Sequence, residues 1–248
     1  MQEKFSREEL LNKIQDFYEV YLNRPIKDNG GGMKSGHMFP SWFVMNKLKP
    51  KFIIESGVWR GLGTWFFENA SPNSNIISID PNPHFKFYTS NKAKYQTLDF
   101  LETDWNFLDK ENTVLFLDDH QNSIERIKFA QSIGIKKIMI EDNYPFCQGD
   151  CYSPKKVFSQ RKYVIDAAGN KTWFQHSKED FDFLSNNLSF YQEFPPLFID
   201  SYTRWGDEWD QEIYQTSEQL LTEEDKEKYP IFFDERKDYT WICYMELK

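Results

Sequence analysis

Apolar positions near the start of the chain recur at helical spacing, whereas those in its middle cluster into short unbroken runs. Ser6-Arg7-Glu8-Glu9 has the spacing of a capping box, in which a hydroxyl and a carboxylate satisfy each other's backbone donors. Leu10, Leu11, Ile14, Phe17, Tyr18 and Tyr21 then return every three or four residues, which predicts an amphipathic helix. The stretch from Asp28 to His37 holds Gly30, Gly31, Gly32 and Gly36 among polar residues, and predicts a mobile loop in which Lys34 and His37 can close over a ligand. A second helix is predicted over residues 41–49.

From residue 50 the pattern changes to β-branched runs, each followed by an acid. Phe52-Ile53-Ile54 precedes Glu55, and Ile76-Ile77-Ser78-Ile79 precedes Asp80. Val114-Leu115-Phe116-Leu117 precedes Asp118-Asp119, and Ile138-Met139-Ile140 precedes Glu141-Asp142. Continuous apolar runs suit parallel strands covered on both faces. Helical stretches are predicted between them, from Gly61 to Asn69, after Pro83, and from Ser123 to Ser132. Alternation of strand and helix gives an α/β, doubly wound, mostly parallel sheet. Right-handed crossovers bring all strand carboxyl ends to one edge, so the acidic endings are expected on a common rim.

After about residue 145 the alternation fades into sequence rich in Tyr, Phe and Pro, with a predicted helix near Glu179 to Asn187. Residues 146–228 read as a cap inserted over the rim, and Thr222 to Glu227 as a solvated helix start. Ile231-Phe232-Phe233 and the segment from Tyr239 to Leu247 predict a strand pair, with an antiparallel terminal strand at the sheet edge. Residues 1–49 thus form an N-terminal unit of helices and glycine-rich loop, and residues 50–248 the main domain.

Composition narrows the partners. The 248 residues carry 30 basic and 39 acidic side chains, a net charge of −9, with no basic block that would neutralise phosphates, so nucleic acid is not expected. No apolar run reaches the roughly 20 residues that span a bilayer, and Met1-Gln2-Glu3-Lys4 does not open a signal peptide. A cytoplasmic protein with a small-molecule partner and no membrane association is expected; assembly with further copies of itself stays open. The 3 cysteines, Cys147, Cys151 and Cys243, are too few and too odd for a disulfide framework. Cys147 and Cys151 lack a second pair at zinc spacing and read as ordinary thiols.

The first half of the rim reads as a nucleoside site. Gly57 and Gly61 follow the first strand and lead into a helix whose N-terminus offers unpaired N–H donors. Asp80, 25 positions after Glu55, ends the next strand, where an acid can accept both hydroxyls of a ribose. The dinucleotide fingerprint G-x-G-x-x-G is absent, and an acid-rich rim favours a ligand with a cationic centre over a pyrophosphate. S-adenosylmethionine has such a centre in its sulfonium.

Glu55-x-Gly57-x-x-x-Gly61 together with Asp80 resembles motifs I and II of the class I S-adenosylmethionine-dependent methyltransferases, and the order of elements through residue 143 is similar to their core. The resemblance implies a seven-stranded Rossmann-like sheet, with residues 50–248 as the methyltransferase domain. It implies that Gly57 and Gly61 line the methionine portion, that Asp80 holds the ribose, that Glu55 organises the turn, and that Asp104 in Thr103-Asp104-Trp105 lies near the adenine.

The second half of the rim suggests a metal and a base. Leu117-Asp118-Asp119-His120 and Glu141-Asp142-Asn143-Tyr144 end adjacent strands about 4.8 Å apart, so their oxygens can share a hard ion such as Mg²⁺. This second constellation resembles metal-dependent O-methyltransferases of the catechol and macrolide-sugar types. The resemblance implies metal ligands among Asp118, Asp119, Asp142 and Asn143, with Asp118 catalytic. Where the catechol type has a lysine base this chain has Gln121, which moves the expected base to His120. The expected activity is methyl transfer to a hydroxyl of a sugar or another polar small molecule, with Trp173, Trp205 and Trp209 of the cap available for stacking on a ring. Two alternatives stay open: an oxidoreductase of the same layered architecture, including a hydroxylase resembling the cephalosporin hydroxylase group, and a non-catalytic nucleoside-binding protein. A plainer reading also stands, in which the double Asp caps the following helix and Asn143 turns the chain.

Overall fold

The computed structural model describes residues 4–159 and 177–248, with the backbone also at 163–165 and 171–173. Helices α1 (Arg7–Leu11), α2 (Ile14–Leu22) and α3 (Ser35–Leu48) precede β1 (Phe52–Ser56), α4 (Leu62–Ala70), β2 (Asn75–Ile79) and β3 (Lys94–Gln96). Then come β4 (Thr113–Leu117), α5 (Ser123–Ser132), β5 (Lys137–Ile140), α6 (Pro154–Phe158), β6 (Tyr163–Ile165) and β7 (Lys171–Trp173). The chain closes with α7 (Lys178–Asn187), β8 (Leu188–Glu193), α8 (Pro230–Asp234) and β9 (Cys243–Leu247).

Seven strands form one sheet in the order β3-β2-β1-β4-β5-β9-β8. β1 to β5 are mutually parallel, and β9 runs antiparallel to both β5 and β8. The fold is therefore the expected α/β, mostly parallel seven-stranded sheet with one reversed strand. Its central strands β1, β4 and β5 are mainly apolar because alternate residues feed separate cores. Ile53, Phe116, Met139 and Tyr244 pack with α2, α3, α4 and α8 on one face. Ile54, Leu115, Ile140 and Met245 pack with α5 and α7 on the other. Each such side chain contributes about 1.5–3 kcal/mol by leaving water, so a polar substitution in β4 would damage both layers.

Local expectations fared unevenly. The capping box at α1 is present: Ser6 Oγ accepts from Glu9 N at 3.2 Å, and Glu9 Oε2 accepts from Ser6 N at 2.9 Å. The second helix begins earlier than expected and includes His37. Beyond Pro83 only a short 3₁₀ turn forms, and the acids after Thr222 likewise make a 3₁₀ turn, Glu223–Asp225. Ile231-Phe232-Phe233 is not a strand. Pro230 starts α8 there, and Phe232 buries its ring against Phe17 and Tyr18 at centroid distances of 5.6 and 5.0 Å. A period-two reading could not foresee that aromatic nest; β9 pairs with β8 instead, so the terminal strand lies inside the sheet and its expected edge place is taken by β8, from the segment expected to be a cap.

Candidate functional site at the strand carboxyl ends

Strand register builds the rim. Ser56 lies level with Ile79 on one side and Leu117 on the other, and Leu117 lies level with Ile140. The next residue of each strand continues the ladder: Gly57 N donates to Ile79 O, Asp118 N to Ser56 O and Glu141 N to Leu117 O, at 2.8–3.0 Å. Gly57, Asp80, Asp118 and Glu141 thus stand in one row. Chain order reverses between β1 and β4, the switch point at which open α/β sheets leave a crevice. Gly57 sits at that point with φ 94°, and a Cβ there would collide with the Asp118 carbonyl oxygen. Gly61, φ 91°, is pressed in the same way against the carbonyl of Tyr88.

The β1–β2 half of the rim surrounds its acids with hydroxyl and amide donors. Glu55 is fully buried and accepts from Thr64 Oγ1 and Ser78 Oγ, both at 2.6 Å. Burial outweighs those two donors and pushes its carboxyl up to about 7. Its other oxygen, Oε1, is buried without a hydrogen-bond partner. Asp80 Oδ2 accepts from Val58 N at 3.2 Å and Trp59 N at 3.0 Å, and Oδ1 from Asn82 N at 2.7 Å. Asp80 therefore holds the turn after β1 directly.

The β4–β5 half instead crowds its acids together. One oxygen from each of Asp118, Glu141 and Asp142 lies within 4.8 Å of the others. Glu141 and Asp142 are buried, at 2% and 4% exposure. Burial first, then Glu141, holds Asp118 and Asp142 well above the usual carboxylate range, and Asp142 adds to the shift at Asp118. Two cations lean in. Arg204 of the cap loop approaches Tyr144 with Nη1 3.5 Å from its hydroxyl and carries a charge that opposes the shift at Asp118. His120, at φ 53°, points Nδ1 at Asp150 Oδ1, 3.1 Å away, and at Asp142 Oδ2, 3.4 Å away. Partial burial alone would lower the His120 pKa; Asp142 and Asp150 outweigh it and raise the value.

Two expected ligands are engaged elsewhere. Asp119 Oδ2 accepts from Ser56 Oγ and pairs with Arg126 Nε, both at 2.7 Å, while Arg126 also grips Asp99 with two bonds of 2.7 Å. Asp119 thus ties β1 and β4 to α5. Asn143 is fully buried: its amide donates to Tyr191 Oη at 2.8 Å and Trp241 O at 3.0 Å, and its oxygen accepts from Lys155 N at 3.0 Å. It anchors the cap, as the turn reading of this residue held. Asp104 is exposed and accepts from Asn106 N at 3.0 Å, a local turn contact.

Glu141, His37 and Arg204 join the site without having been singled out as ligands or partners from sequence. Glu141 closes the same apolar run as Asp142, so the sequence places it on the rim, whereas the resemblance implies Asp142 and Asn143 as ligands. His37 was assigned to a mobile loop, yet it is fully buried in the first turn of α3. Its Nδ1 lies 2.8 Å from Glu141 Oε1, and its Nε2 faces the carbonyl of Asp238. Burial, with Arg204 nearby, lowers its pKa to about 3. The glycine loop itself is pinned: Trp59 Nε1 donates to Gly30 O at 3.2 Å and Arg60 Nη1 to Asp28 O at 2.8 Å. In the cap, Trp209 stacks on Trp241 at 5.4 Å and 11°, so ordinary packing accounts for it. Trp205 is 54% exposed, 6.1 Å from the Tyr144 ring. The Trp173 side chain lies outside the described residues.

No family model matches the chain, and no curated protein matches it. Among solved structures it is similar to CmcI with magnesium and S-adenosylmethionine, at 18% identity and TM-score 0.36 over 42% of this chain and 52% of that one. The match thus spans about half the length of the CmcI chain. A methyltransferase from Podospora anserina bound to S-adenosylhomocysteine aligns at 17% identity and TM-score 0.39, covering 54% of this chain and 62% of that one. An S-adenosylmethionine-dependent methyltransferase from Mesorhizobium loti aligns at 11% identity and TM-score 0.42, covering 86% and 98%.

Proposed function

We propose that this chain is an S-adenosylmethionine-dependent O-methyltransferase that uses a divalent cation and acts on a hydroxyl of a sugar or another polar small molecule. The observation that carries the reading is the row along one lip: a glycine turn and Asp80 at one end, and half-buried Asp118 with buried Glu141 and Asp142 two to three strand spacings away, about 10–14 Å. Buried like charges held this close call for a cation, and an all-oxygen set suits a hard one such as Mg²⁺. S-adenosylmethionine would supply a methyl group on an activated sulfur leaving group, and the cation would make an acceptor hydroxyl more acidic.

The chain's own part is positioning and proton transfer. Asp80 Oδ1 carries one N–H bond and has a lone pair left for a ribose hydroxyl. Gly57 and Gly61 keep the wall beside that ligand free of side chains. Asp118, Glu141 and Asp142 would hold the cation, and His37 with Arg204 fix and partly offset the acids. Exposed Trp205, braced edge-to-face by buried Tyr144, offers an aromatic face for the acceptor ring. His120, its Nδ1 held by Asp150, would take the acceptor hydroxyl's proton on Nε2.

Calorimetry with S-adenosylhomocysteine, followed by methyl transfer from labelled S-adenosylmethionine to a panel of sugars and phenols with Mg²⁺, tests the proposal. Saturable binding, with transfer stopped by chelator, is expected. Failure to bind S-adenosylhomocysteine, or binding of a nicotinamide dinucleotide in its place, overturns it; transfer indifferent to chelator removes the cation from the mechanism.

A further inference from the structure

Beside the all-oxygen group lies a second, chemically different one. One ligand atom each from His120, Asp142, Asp150 and Cys151 falls within 4.8 Å of the other three. Cys151 Sγ is 3.5 Å from Asp142 Oδ2 and 3.4 Å from Asp150 Oδ1. His120 Nδ1 is 3.4 Å from Asp142 Oδ2 and 3.1 Å from Asp150 Oδ1. Zinc bonds of about 2.3 Å to sulfur and 2.0–2.2 Å to nitrogen and oxygen, set at tetrahedral angles, give edges of about 3.6 Å for sulfur–oxygen pairs and 3.4 Å for nitrogen–oxygen pairs. Four edges of the cluster already match those of a tetrahedral centre to within about 0.3 Å.

We infer that His120, Asp142, Asp150 and Cys151 form a binding site for a borderline-soft divalent cation of the zinc class. Thiolate and imidazole select such an ion over Mg²⁺, whereas Asp118, Glu141 and Asp142 do the reverse. The half that fixes geometry is buried, with Asp142 at 4% and Cys151 at 3% exposure, and His120 and Asp150 lie on the solvent side where an ion enters. The loop carrying Cys151 is held by Lys156, whose Nζ donates to the carbonyls of Cys151 at 2.7 Å and Gly149 at 3.0 Å. Ser153 Oγ fastens the same loop to the Tyr144 carbonyl at 2.6 Å. Cys-pair spacing could not show this site, because its ligands come from the end of β4, the end of β5 and the start of the cap. Asp142 belongs to both groups, so a zinc-class ion withdraws Asp142 and His120 from the rim. That inhibitory consequence, and it alone, rests on the proposed function.

The test is a titration of metal-free protein with Co²⁺, which reports thiolate ligation by a charge-transfer band and tetrahedral geometry by its visible absorption. The wild type is expected to saturate at one equivalent and to lose the band on addition of Zn²⁺. Cys151→Ser should abolish the charge-transfer band, His120→Gln on the exposed side should weaken binding by about tenfold or more, and Asp118→Asn should leave the spectrum unchanged. Absence of the band at saturating Co²⁺ in the wild type, or its persistence in Cys151→Ser, overturns the inference. Methyl transfer is not read, so this outcome and the S-adenosylhomocysteine result are decided separately.

Discussion

The two halves of the rim hold buried acids by opposite means. At β1 and β2 every ionisable group meets donors: hydroxyls of Thr64 and Ser78 for Glu55, and three loop amides for Asp80. At β4 and β5 one oxygen of each of Asp118, Glu141 and Asp142 lies close to the others, and their partners arrive from outside the sheet: His37 and Thr240 at Glu141, and His120 and Cys151 at Asp142. Such an arrangement costs folding energy, because buried like charges suppress ionisation, and it persists where a ligand supplies the missing charge. The first half is a braced scaffold with one orphaned oxygen, Glu55 Oε1, and the second is where, on the proposed function, a cation would supply the missing positive charge.

The largest predicted effect separates the halves by chemistry. Asp142→Asn should cut methyl transfer by about 10³, the several kcal/mol a cation contributes to an acidified hydroxyl, while S-adenosylhomocysteine affinity stays within about twofold. Equal loss of binding and turnover would merge the halves into one site.

Gly57→Ala probes their junction. A Cβ at φ 94° against the Asp118 carbonyl forces β1 and β4 apart, so unfolding free energy should fall by about 3 kcal/mol or more in chemical denaturation. An alanine variant of wild-type stability would mean that the turn is looser than its geometry implies.

Glu55→Gln probes the scaffold half through pH. Burial raises the Glu55 carboxyl from 4.5 to about 7, so the folded state keeps a proton that the unfolded chain has already lost. Its stabilising contribution is complete below pH 4.5 and disappears as pH rises towards 7, a loss of about 3 kcal/mol. Glutamine cannot ionise, so thermal melts of Glu55→Gln should fall less between these pH values than those of the wild type. Parallel pH profiles would contradict the shift.

Asp80→Ala should have the smallest effect on binding, about 1–2 kcal/mol of S-adenosylhomocysteine affinity, since it removes one ribose partner and relaxes the turn amides. Unchanged affinity would leave Asp80 as a turn brace alone.

Much of this was legible in the sequence because parallel strands advertise themselves. Runs such as Val114-Leu115-Phe116-Leu117 need apolar residues on both faces, and the acid after each run falls on the rim by topology alone. Side-chain direction beyond the last ladder bond was not legible. Asp118 and Asp119 are neighbours, yet one joins the acid group and the other turns to Arg126, a partner on α5 that no spacing rule selects. Asn143 fits a ligand motif but spends its amide on Tyr191 of β8 and Trp241 just before the reversed strand β9. His37 looked like part of a loose glycine loop because the buried Glu141 that holds it lies more than a hundred residues away.

The central claim is that Asp118, Glu141 and Asp142 hold a hard cation, and Mn²⁺ binding read by electron paramagnetic resonance tests it most directly. One tight Mn²⁺ per chain is predicted, displaced by Mg²⁺, weakened at least about a hundredfold in the double variant Asp118→Asn with Glu141→Gln, and unaltered in Cys151→Ser and Asp80→Ala. Mn²⁺ affinity that survives the double variant unchanged would contradict the account.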